Sequence, residues 1–237
     1  MGFHGATPPI VTEGLTFLVD AGDITSYLGS GTAWNDIAGT NNATLSGSPT
    51  FSSSNGGYFT FGSLSKYAGT SNPGVTGTTA RTFIVWARTS TTTNGSFLSY
   101  GGTAFTGGAR IVCGLGTYGG VEGVTLDVAD GARTMAANTD DGKWHMYTWS
   151  FPASTTVGGV TMYQDTTALS SQAAGIQTNT SINTATTNPI RIGAHYEGSP
   201  YDGYYTGDLA IVQIYNTNLN ATQVAQNYNA LKIRFGL

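Results

Sequence analysis

The chain has 237 residues, 39% hydrophobic and only 9% charged, with a net charge of -4. That length suits one large β domain, and its 11% aromatic content excludes the disorder that so low a charge would otherwise permit. No basic stripe marks a nucleic-acid partner, and no apolar run approaches the ~20 residues that carry a helix across a bilayer.

Residues 1–13 hold Pro8, Pro9 and two glycines ahead of the first strand pattern. Proline lacks the N–H that a sheet ladder uses, so this stretch reads as an extended arm, loose or docked on a neighbour. It lacks a basic start and an apolar run, and so does not read as a signal peptide. Residues 14–237 then read as a single domain.

Short strand patterns follow in chain order: LTFLVD (15–20), GYFTFG (57–62), RTFIVWAR (81–88), SFLSYG (96–101), ARIVCGL (109–115), VTLDVA (124–129), KWHMYTWSF (143–151), GVTMYQD (159–165), PIRIGAHY (189–196) and GDLAIVQIY (207–215). Each is rich in β-branched or aromatic residues, and Gly, Asn, Asp or Ser bounds most of them. So many short strands with no helices between them predict a two-sheet antiparallel β-sandwich, an all-β fold. RTFIVWAR is apolar on both faces, with Phe83 and Val85 one way and Ile84 and Trp86 the other. It is therefore expected at the centre of a sheet whose outer face is covered. Cys113 is the sole cysteine, so no intrachain disulfide can form, and its strand makes it a small core residue. His145, in the KWHMYTWSF strand, is expected to be packed and hydrogen-bonded.

One helix is predicted near 220–231. Asn220 is a good N-cap, Gln223 completes a capping box, and Leu219 and Val224 stand at staple positions. Val224, Tyr228 and Leu231 line one face at helical spacing.

Several pieces resemble laminin G-like, concanavalin A-like jelly-roll domains of bacteriophage and virus structural proteins. In LTFLVDAGDITSYLGSGTAWNDIAGTNNATL (15–45), Asp20, Ala21, Trp34, Asp36 and Gly39 match the opening pattern. TFIVWAR (82–88), DGKWHMYTWSF (141–151) and TGDLAIVQIYNTNLNATQVAQNYNALKIRFGL (206–237) match later pieces in the same order. The resemblance covers roughly residues 15–235. It implies a virion structural protein, a capsid decoration or tail-fibre component assembled in the host cytoplasm. Its partners would be other virion proteins, met through the arm or a sheet face, and a homo-oligomer is open to it. The alternative is a carbohydrate-binding module that reads host-surface glycans.

The same resemblance offers calcium as a cofactor, with Asp20, Asp23 and Asp36 near the matching loop; Asp36 could equally fix a turn by accepting backbone amides. For glycans, HYEGSPYDGYY (195–205) is the richest candidate. Tyr196, Tyr201, Tyr204 and Tyr205, with Asp202, could form a platform with polar tips. Catalysis is not expected. A retaining glycosidase needs two carboxyl groups about 5–5.5 Å apart, and the Glu-x-Asp-x-Glu pattern of hydrolases with this fold is missing. The nearest acids, Glu122 and Asp127, have an odd separation that turns them to opposite faces of a strand.

Overall fold

The computed structural model describes residues 9–62, 65–91, 95–103, 106–173, 177–195 and 203–237. Among these the strands run in chain order β1 (Leu15–Asp20), β2 (Ala33–Trp34), β3 (Ala43–Ser46), β4 (Thr50–Ser52), β5 (Tyr58–Phe61), β6 (Tyr67–Gly69), β7 (Arg81–Arg88) and β8 (Gly95–Gly101). There follow β9 (Arg110–Tyr118), β10 (Val121–Asp127), β11 (Ala132–Ala136), β12 (His145–Phe151), β13 (Thr161–Gln164), β14 (Thr167–Ala168), β15 (Asn188–Ile192) and β16 (Gly207–Tyr215). Helix α1 (Ala221–Leu231) and a 3₁₀ turn over Lys232–Phe235 close the chain.

The strands form two antiparallel sheets. The first has the order β14-β13-β12-β7-β16-β5-β4, and the second β11-β10-β9-β8-β15-β6-β3-β2. Strand β16 is bordered by β5 along its first residues and by β1 along the rest. A bulge between Leu209 and Ile211 lies where it runs beside β7.

Alternation along the strands builds two apolar layers. On β7, Phe83, Val85 and Ala87 enter the core between the sheets, with Tyr147, Trp149 and Phe151 of β12 beside them. Ile84 and Trp86 point the other way and join Trp144, Met146 and Tyr215 on the outside of the first sheet. The C-terminal segment covers that outside face. Trp86 stacks on Phe235 with ring centroids 4.4 Å apart, and on Tyr228 at 5.6 Å. The cover predicted for RTFIVWAR is therefore the chain's own helix.

Helix α1 starts where expected. The Gln223 amide donates to the Asn220 side chain, and the Asn220 amide donates to the Gln223 side chain, both at 3.0 Å. Leu219 and Val224 are both buried in the outer cluster. The described part of the arm is docked too, on this same helix. The Val11 amide donates to Asn227 Oδ1 (2.7 Å), Asn227 Nδ2 donates to the Tyr215 hydroxyl (3.1 Å), and that hydroxyl donates to the Val11 carbonyl (3.0 Å). Asn227 is fully buried, so this closed ring satisfies polar groups that would be costly to leave alone.

Arg81 is 1% exposed and has no carboxylate partner among its hydrogen bonds. Its guanidinium instead donates to the carbonyls of Val75, Gly77 and Thr79 and to the Thr184 hydroxyl. A buried cation is held here by a collar of dipoles, which also fixes the 75–79 loop against the sandwich. Cys113 is buried on β9 and packs in the inter-sheet core, and burial pushes its thiol pKa well up.

Candidate functional site

The second sheet carries no helix on its outer face, and a groove opens there. Its floor follows from strand register. Leu126 and Val124 of β10 face the core, so Thr125 and Asp127 face outward. Thr125 pairs with Gly114 on β9 and Thr134 on β11, while Asp127 pairs with Val112 and Ala132. Gly116 pairs with Gly123, and Tyr118 with Val121, at the far end. Around Thr125 the outward row is thus glycine or hydroxyl-bearing, with Asp127 at one end and Tyr118 at the other. A Cβ on Gly114 would lie 2.2 Å from the Gly95 carbonyl oxygen, so close approach of β8 and β9 requires glycine there. The result is a cavity of about 290 Å³. Tyr118 stands at its edge, 46% exposed.

Polar groups are fixed along this floor. Arg110 donates through Nε (3.1 Å) and Nη2 (2.9 Å) to Asp127 Oδ1, which also accepts the Ala129 amide (2.9 Å). On the opposite wall Ser96 Oγ lies 2.6 Å from His195 Nδ1. The Ser96 amide donates to the Gly203 carbonyl at 2.9 Å, and Tyr204 bridges Ser96 in parallel. His195 and Gly203 both line the cavity. Gly203 has φ +64°, and a Cβ there would sit 2.1 Å from His195 Cε1, so glycine lets the two feet of this loop close on β8. Of the aromatic-rich segment singled out in the sequence, the described residues His195 and Gly203 thus line the groove.

Its individual residues divide. Tyr196, Tyr201 and Asp202 lie outside the described residues. Tyr204 is partly buried. Tyr205 is not a platform residue: it is 2% exposed in the inter-sheet core, and its hydroxyl donates to the Arg88 carbonyl at 2.6 Å. Phe97 packs edge-on against it at 4.8 Å. Strand-like alternation is in force at Tyr205, two residues before β16 begins, so Tyr205 is buried and Thr206 exposed.

The three aspartates near the opening loop are taken up by the chain itself. Both oxygens of Asp20 accept Arg234 Nη1 at 2.7 Å. Asp23 accepts the Thr25 hydroxyl (2.6 Å) and amide (2.8 Å), which hold its carboxyl below the ordinary value. Asp36 is the turn-fixing residue: its Oδ1 accepts the amides of Leu18, Ala38 and Gly39, and its Oδ2 accepts that of Asn41. Among the described residues no three His, Cys, Asp or Glu converge as a metal-binding group.

Glu122 and Asp127 do face opposite ways. Glu122 accepts the Thr139 hydroxyl at 2.7 Å, away from the groove, and Asp127 is the one carboxylate among the described residues that line it. His145 is held between two acids at the rim of the core, with Nδ1 2.9 Å from Asp165 and Nε2 3.3 Å from Asp141. Burial alone would lower its pKa, but the hydrogen bond and charge of Asp165, then of Asp141, outweigh this and raise it. Sequence reasoning missed Arg110, Ser96, Thr125 and Thr134 as a set, because they meet only when four strands pair. The available signal was Gly114 and Gly116 two apart in one strand and Gly123 and Thr125 two apart in the next, unusual for a strand face that packs.

No protein-family model matches the sequence, and no curated protein does. Solved structures are similar in fold. Domain 4 of AbnA, an extracellular arabinanase of Geobacillus stearothermophilus solved with arabinotriose, aligns with a TM-score of 0.63 at 14% identity, over 90% of this chain and 98% of that one. Trypanosoma rangeli sialidase aligns with a TM-score of 0.57 at 15% identity, over 97% of this chain but 36% of that one. The binding domain of botulinum neurotoxin serotype D/C aligns with a TM-score of 0.59 at 9% identity, over 93% and 53%. At these identities the likeness establishes the fold alone, a two-sheet antiparallel β-sandwich.

Proposed function

We propose that this chain is a non-catalytic, lectin-like module that holds a saccharide in the groove on the outer face of its second sheet. The observation that carries the reading is the asymmetry of the sandwich. One face is sealed by α1, and the other leaves a cavity of about 290 Å³ floored by small and hydroxyl-bearing residues with an exposed tyrosine at its edge. Such a surface lets sugar rings approach the backbone and exchange hydroxyl hydrogen bonds. Among the described lining residues Asp127 is the one carboxylate, which favours binding over the paired-acid chemistry of glycoside hydrolysis. The arabinotriose complex of the similar arabinanase domain supports the ligand class.

The test is an oligosaccharide array probed with the whole chain. Binding to at least one sugar is expected, and Thr125→Trp, which fills the floor, should abolish it. A blank array would sink the reading.

The ordered sequence pieces at 15–45, 141–151 and 206–237 support a further placement, on a virion as a capsid decoration or tail-fibre component. Purified particles should then contain this chain by mass spectrometry, and particles without it would remove the placement while leaving the saccharide reading intact.

A further inference from the structure

The groove has polar groups that the described residues do not satisfy. Asp127 Oδ1 takes all three of that side chain's hydrogen bonds. Oδ2 accepts none, although the side chain is 30% exposed. Thr125 and Thr134 face each other across β10 and β11, and neither hydroxyl makes a hydrogen bond among the described residues. Thr134 is only 1% exposed, yet it lines the cavity. Three unfilled positions on one floor therefore mark where a ligand's own hydroxyls would complete the set.

The cations nearby are already engaged. Arg110 is bound to Asp127. Arg133 donates to the carbonyls of Gly158 and Val160 and to Gln172. His195 is turned onto Ser96. A ligand carboxylate or sulfate on this floor would meet the open oxygen of Asp127 as a like charge in a partly water-excluded groove. A sugar diol would instead donate to that oxygen and exchange hydrogen bonds with the two threonines.

Resting on the saccharide reading above, we infer that the groove selects uncharged saccharides over acidic ones, with Asp127 Oδ2, Thr125 and Thr134 reading adjacent hydroxyl groups. The acceptor is charged, so its bonds to sugar hydroxyls belong to the strong class.

The experiment titrates the full chain calorimetrically with arabinotriose, cellotriose, lactose, sialyllactose and sulfated lactose. The best uncharged sugar should bind at least about tenfold more tightly than either acidic one, the worth of one hydrogen bond to a charged group. Asp127→Asn should weaken that sugar by a similar factor. Because this change also disturbs Arg110, a Thr125→Val/Thr134→Val double variant provides the second reading. It removes only hydroxyls without protein partners, so its melting temperature should hold while the uncharged sugar binds about tenfold more weakly. Equal or tighter binding of an acidic sugar would overturn the inference and leave the saccharide reading standing, as would wild-type affinity in the double variant. Silence from all five sugars would overturn the inference, and a blank array beside it would defeat the saccharide reading as well.

Discussion

His145 shows how a single side chain can make stability depend on pH. Its ring joins the Asp141–Gly142 turn to the turn that follows β13, because Asp165 accepts both His145 Nδ1 and the Met146 amide. Lys143 stands 3.6 Å from Asp141 on the solvent side. The His145 pKa is raised in the folded chain. Its contribution is therefore complete below the unfolded value near 6.5 and is lost as pH rises through the folded value. Asp141 runs the other way. Burial alone would raise its pKa, but the Lys143 amide and the His145 charge lower it, so its contribution fades only as pH falls through that lowered value. The melting temperature of the wild type should accordingly fall more than that of His145→Gln as pH rises through neutrality. Parallel curves for the two proteins would show that the bridge does not titrate with folding.

At the level of elements, local signals and pairing partners contribute separately. The helix carries its own start signal: the Asn220 and Gln223 box forms as the sequence indicates. Asn220→Ala should cost about 1 kcal/mol, seen as a melting temperature lower by roughly 2–4 °C in a chain of this size. Strands such as β7 and β16 were legible because both of their faces are apolar. Strand β11 was not legible. Ala-Arg-Thr-Met-Ala has no β-branched run, and it is a strand only because β10 offers it a ladder. The two-residue strands β2 and β14 likewise exist through their partners. The groove shares this difficulty. Asp127 could be named from sequence, but its alignment with Thr125, Thr134 and Arg110 is a matter of register between strands. Tyr205 shows the converse: composition suggested a surface platform, whereas alternation near β16 drew that ring inward.

Taken whole, the molecule has two unequal faces separated by the inter-sheet core. Phe235 lies in the outer cluster against Trp86 and Trp144, with ring centroids 4.4 and 4.7 Å away. Phe235→Ala should cost about 3 kcal/mol and lower the melting temperature by roughly 6–12 °C. Saccharide affinity measured well below that temperature should not change, because the loss falls on the sealed side. A matching loss of affinity in the calorimeter would mean that the two faces are coupled.

The chain's described extremities share the sealed side. Pro9 accepts a hydrogen bond from Gln226 of α1, and Leu237 closes on Lys232 at the end of the 3₁₀ turn. A polypeptide grafted to either extremity would depart from the rear of the domain. The groove therefore stays clear of Pro9 and Leu237, the two described ends.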